Sequence, residues 1–172
     1  MRAIFACAGF LILTNAAFAQ QRTNSQVVTV GPWSIATTYE ADNFENCTMT
    51  RSTPDLEVAF IRNQEGLLLS LDSQDWKLER GKAYAVTLNA GSHSLEAKAL
   101  AESKSVTVAL AEKSFNKRLR TANILEIRGE GATLRVPLDG SAAGFDRLDR
   151  CFEKNVRQSP EANPFVAPAK RP

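Results

Sequence analysis

The strongest constraint on this chain is a period of two in apolar residues, repeated in short runs from residue 33 to residue 138 and interrupted by turn-forming residues. In WSIATTYE (33–40), Trp33, Ile35, Thr37 and Tyr39 share one face, while Ser34, Ala36, Thr38 and Glu40 share the other. Alternation of this kind marks a strand with one buried face. The same reading applies to CTMTR (47–51), LEVAFIRN (56–63), GLLLSLDS (66–73), KAYAVTLNA (82–90) and KSVTVALA (104–111), and to the closing pair ILEIRG (124–129) and ATLRVPL (132–138). SLEAKALAES (94–103) has helix-favouring residues, but Leu95, Ala97 and Ala99 alternate and the next segment makes a hairpin partner, so it is read as a strand. Breaks fall at ADNFEN, NQEG, Gly81, Asn89–Ser92 and Glu130-Gly131, where turn residues cluster. About eight or nine short strands in this spacing predict a mainly β fold, an antiparallel sandwich or barrel.

Two segments carry helical spacing instead. In 112–122, Phe115, Leu119 and Ala122 recur on one side. In 138–155, LDGSAAGFDRLDRCFEKN, the residues Ala142, Phe145, Leu148 and Phe152 form one stripe, with Asp139 or Ser141 placed to cap the helix start. This short C-terminal helix is expected to dock its stripe on the sheet. Asp146 and Asp149, interleaved with Arg147 and Arg150, read as a solvated, ion-paired face.

The chain has 172 residues. MRAIFACAGFLILTNAAFAQQ begins with one positive charge, continues with a short apolar run and ends in Ala17-Phe18-Ala19, the layout of a secretory signal peptide cleaved before Gln20. That run is too short to span a bilayer, which takes about 20 residues. The expected organisation is a signal peptide at 1–19, a flexible lead-in at 20–30, one β-rich domain at 31–155 and a Pro-rich disordered tail at 156–172. No integral membrane segment is expected after signal removal, and the expected location is the periplasm or the exterior.

Cys7 leaves with the signal, so Cys47 and Cys151 are the two remaining cysteines. In an exported protein two thiols read as one disulfide, here tying the second strand to the last helix. With one histidine in the chain, a zinc site of Cys and His ligands is not expected. No cofactor fingerprint or phosphate-binding glycine loop is present.

Signals for chemistry are sparse. His93 stands between Ser92 and Ser94, without a nucleophile-elbow pattern, and reads as a turn residue. Asp72 and Asp75, like Asp146 and Asp149, read as surface carboxylates. Lys113, Lys117, Arg118 and Arg120 form a basic cluster, a candidate anion-binding patch. Trp33 and Trp76 read as core anchors. Asn46-Cys47-Thr48 matches a glycosylation sequon, but the middle residue is the disulfide cysteine. With 21 basic and 19 acidic side chains, the charge balance argues against nucleic acid as a partner.

The tryptophan-led first strand and early cysteine, the run DSQDWKLERGKAYAVTL and the ending LRVPLDGSAAGFDRLDRCF together resemble small exported envelope proteins of the invasion-associated locus B type, over residues 31–153. That resemblance implies a periplasmic or surface-associated β protein linked to host interaction or envelope function, with no catalytic residues to carry over. The expected function is a non-enzymatic binding domain acting on an envelope or host protein. The alternatives are an inhibitor of a protease or lysozyme, and a hydrolase.

Overall fold

The computed structural model describes residues 27–40 and 43–157. The expected signal peptide and almost all of the expected tail lie outside these residues, as does most of the lead-in. Ten strands form one antiparallel sheet: β1 (Val28–Val30), β2 (Trp33–Glu40), β3 (Asn43–Ser52), β4 (Glu57–Asn63), β5 (Gly66–Asp72), β6 (Ala83–Ala90), β7 (His93–Ala101), β8 (Ser105–Ala109), β9 (Ile124–Arg128) and β10 (Thr133–Pro137). Helix α1 (Lys113–Arg118) follows β8, and α2 (Ser141–Val156) follows β10. The spatial order is β1-β2-β3-β4-β5-β8-β7-β6-β9-β10. The mainly β architecture with a docked C-terminal helix is therefore the one the alternation predicts.

Three details differ from the sequence reading. A tenth strand, β1, lies inside the expected lead-in. Its three residues are too few to show a period, and it forms because Gly31-Pro32 turns it back onto β2, pairing Val30 with Trp33. The expected break at ADNFEN is shorter, since β3 already begins at Asn43 and its bulge absorbs the irregularity opposite Thr38 and Tyr39. Helix α1 ends at Arg118, before the predicted 122.

In an antiparallel ladder, residues directly opposite share a face. The register therefore traces the core side across seven strands: Ile35, Met49, Phe60, Leu69, Val108, Ala99 and Tyr84 stand in one row. Of these, all but Tyr84 are buried. The curled sheet brings its two ends near each other through the segment after β10. The indole of Trp33 donates to the Asp139 carbonyl at 2.9 Å, and Arg51 donates to the Pro137 carbonyl at 3.1 Å and to the Asp139 carboxylate at 2.5 Å.

Helix α2 packs on β1 to β4. Its ring contacts are Phe145 with Phe60 at 4.8 Å and Phe152 with Phe44 at 5.9 Å. Neither expected cap acts on α2. The N-cap is Gly140, with φ of 70°, and no side chain caps the helix. Asp139 is drawn away to Arg51, while the buried Ser141 hydroxyl donates to the Leu119 carbonyl at 2.8 Å. The glycine supplies the left-handed backbone that lets both neighbours point elsewhere. One turn on, Gly144 permits a close approach: a Cβ there would lie 2.7 Å from Met49 Sδ.

Candidate functional site

Cys47 and Cys151 form the disulfide that the sequence indicates, with Cα atoms 6.2 Å apart and a sequence separation of 104. Around it the Thr37 hydroxyl lies 3.3 Å from Cys151 Sγ, and the Tyr39 hydroxyl donates to Asn155 Oδ1 at 2.7 Å. This end of α2 is held covalently and by polar contacts. Its two neighbours on the sheet, Phe44 and Cys47, are buried.

Because α2 covers β1 to β4, the core side of the other half of the sheet is not roofed in the same way. There α1 packs over β7. Beside it an apolar cleft of about 570 Å³ remains. It is lined by Leu71, Val106, Val108 and Ala99 of β5, β8 and β7, by Tyr84 and Val86 of β6, and by Ile127 and Leu134 of β9 and β10. Trp76 and Leu78, from the connection between β5 and β6, border it. The β-strand pattern explains this composition. The lining residues occupy the same alternating positions that elsewhere are covered by α2, so the cleft is a stretch of core face left open. Its size lies within the usual range for binding clefts, about 300–1,000 Å³.

The polar groups at the cleft sit at its rim. Lys82 bonds to Glu79 at 3.1 Å, and its ammonium lies 5.3 Å from the Tyr84 ring centroid. The Glu79 hydrogen bond, followed by its charge, raises the Lys82 pKa above its ordinary value. Along the same side runs β10, which pairs only with β9 among the described residues. The hairpin closes with Gly129 N–H on the Ala132 carbonyl, so Thr133 and Arg135 turn their backbone groups away from β9. Pro137, next in that series, has no N–H to offer and blunts the far end of the edge.

The sequence-predicted basic cluster divides. Lys113, Lys117 and Arg120 line a second, smaller pocket of about 290 Å³ with Arg62, Asn116 and Asp149. Their spacing of four and three positions keeps them on one side of the α1 segment. Arg118 is exposed and does not line this pocket. Arg120 is already ion-paired, to Asp146 at 2.7 Å and to Asp149 at 2.5 Å. The two aspartates of α2 thus pair with an arginine beyond α1 rather than with Arg147 and Arg150 of their own helix. Two carboxylates one turn apart reach a single guanidinium because its planar fork presents separate nitrogens to each. Arg62, which the sequence reading did not single out, lies with its guanidinium carbon 5.1 Å from the Phe152 ring centroid.

His93 lies at the β6–β7 hairpin, with Nδ1 3.4 Å from the Ser92 hydroxyl in an exposed contact. Trp33 is buried in the core, whereas Trp76 is half-buried and borders the cleft. Asn46 and Thr48 are bonded to each other at 3.0 Å. Among the described residues no helix is long and apolar enough to cross a membrane. The sequence signal that bore on the cleft was Trp76 with the strand led by Tyr84. Period alone does not distinguish a covered apolar face from an open one.

No protein-family model matches the chain, and no curated protein matches it. Among solved structures, the crystal structure of invasion associated protein B from Bartonella henselae is similar in fold. The two are 17% identical with a TM-score of 0.55, over 73% of this chain and 96% of that one.

Proposed function

We propose that the protein is an exported, non-enzymatic binding domain that engages an envelope or host protein outside the cytoplasm. Its partner supplies an extended segment that lies along β10 and places apolar side chains in the cleft. The observation that carries this reading is the open apolar cleft beside an unpaired strand edge. Thr133 and Arg135 offer backbone donors and acceptors to an added strand, while the cleft offers places for alternate side chains. Among the described residues the charged groups lining the cleft are the exposed Lys82 and Glu130, and the otherwise apolar lining favours a side-chain-bearing segment over a small polar ligand. Oxidising surroundings are supported by the disulfide. The name of the similar structure ties that protein to invasion, which supports a host-facing role here.

Selection from a library of short peptides tests the proposal on the disulfide-bonded protein. Selected peptides are expected to alternate apolar and polar residues, to slow amide exchange at Thr133 and Arg135, and to lose binding to Val86→Asp, which places a carboxylate in the cleft. Peptides that bind without protecting the β10 edge, or that bind Val86→Asp equally, would overturn it.

A further inference from the structure

We infer that the smaller pocket between α1, α2 and β4 binds a small hydroxylated oxyanion, of the sugar-phosphate class. It shares no lining residue with the apolar cleft and does not depend on the function proposed above.

Lys113, Lys117, Arg120 and Arg62 meet around the pocket, and the carboxylates that face them from α2 are Asp149 and Asp146. Both aspartates are engaged by Arg120. Arg62 has no carboxylate partner among the described residues, and its guanidinium lies over the Phe152 ring. A half-buried guanidinium without an anion is an unfavourable arrangement that an anion relieves. Four cations against two carboxylates leave room for a doubly charged group, which suits phosphate better than a single carboxylate.

Hydrogen bonding adds a second, independent requirement. Two buried side-chain atoms of the described residues have no hydrogen-bond partner, Arg62 Nε and Asn116 Oδ1, and both residues line this pocket. Buried polar atoms are nearly always partnered, so two orphans at one place call for explanation. Asn116 donates through Nδ2 to the Leu110 carbonyl at 2.8 Å, which fixes which end of the amide is which. Its orphan is therefore an acceptor, whereas that of Arg62 is a donor. A fully deprotonated oxyanion such as sulfate has no O–H to donate and satisfies the arginine alone. A ligand that also carries a hydroxyl satisfies both.

The site is tested by nitrogen-15 NMR titration of the disulfide-bonded protein with glucose 6-phosphate, sulfate and glucose. The Arg62 Nε–H signal is followed together with the amides of Lys113, Asn116 and Lys117. Glucose 6-phosphate is expected to shift these signals saturably at millimolar concentration, more tightly than sulfate, with glucose inert. Arg62→Gln and Lys117→Gln are each expected to weaken it by about tenfold or more, the scale of one charge-assisted hydrogen bond. Lys117 is exposed, so its variant keeps the test valid if Arg62→Gln does not fold. Vesicles of phosphatidylglycerol, added in a parallel arm, are expected to leave the signals unchanged. The proposal fails if shifts do not saturate, if they spread equally to Arg118 and Arg135, or if the variants bind as the parent does. It fails in its hydroxyl requirement if sulfate binds as tightly as the sugar phosphate, and in its ligand class if only vesicles shift the signals.

Discussion

Arg51 gathers several constraints in one side chain. It lies 5.7 Å from the Trp33 ring centroid, donates to the Pro137 carbonyl and pairs with Asp139. Hydrogen bonding from Arg51 holds the Asp139 carboxyl below its ordinary value of 3.8. A depressed carboxylate contributes stability above its unfolded pKa and loses it as pH falls through the folded one. Asp139→Asn is therefore expected to melt below the parent at neutral pH, with the difference closing under acid, as melting curves across pH would record. Ser141 makes a second case. Ser141→Ala leaves the buried Leu119 carbonyl without its donor and is expected to cost about 1–3 kcal/mol in chemical denaturation. Both residues were legible as helix-start residues because their types favour caps. Their actual partners were not, since Arg51 and Leu119 are brought near them only by the tertiary fold. The same holds for Asp146 and Asp149, whose partner Arg120 lies on another segment.

Among the elements, α2 shows how much a sequence pattern can convey. Its cysteine and most of its apolar stripe were readable from periodicity: Phe145 and Leu148 are buried and Phe152 is half-buried, whereas Ala142 is exposed and Ser141 and Gly144 are buried beside it. The closeness of its seat was not readable, because Gly144 alone does not say what it faces. A methyl group there must displace the buried Met49 thioether. Ala is the better helix former by about 1 kcal/mol, but overpacking costs about 1–3 kcal/mol. Gly144→Ala is thus expected to destabilise, and Met49→Ala in the same chain to absorb part of that loss. A double-mutant cycle of unfolding free energies measures the coupling. The disulfide secures the other end of the helix. Replacing both cysteines by serine is expected to cost about 2–5 kcal/mol, given a closed loop of roughly a hundred residues. Denaturant midpoints with and without reductant check it: the parent should shift on reduction and the double variant should not.

At the scale of the whole molecule, consecutive hairpins account for most of the sheet, and alternation located nine of its ten strands. The insertion of β8 beside β5, which reverses β8-β7-β6 within the order, joins strands that are distant in sequence. Nothing local encodes that choice. The cleft follows from it and from the short reach of α1, so it is a property of coverage rather than of any motif. Val86→Asp, at a half-buried residue lining the cleft, is expected to leave the melting temperature within a few degrees of the parent. Leu69→Asp, on the same core face but fully buried, is expected to prevent folding. Circular dichroism melts distinguish the two.

The position of the disulfide also determines how the protein bears tension. Residues lining the cleft run from Leu71 to Leu134, and those of the basic pocket from Arg62 to Asp149, all inside the ring closed by Cys47 and Cys151. A load applied through the two ends of the chain passes across that covalent bond and bypasses the ring. Stretching can then lengthen only the segments outside it, each residue by at most about 3.6 Å, while both pockets stay slack. Under force spectroscopy, the enclosed strands should add their contour length only after reduction, so a protein tethered at either end would keep its binding surfaces intact under shear.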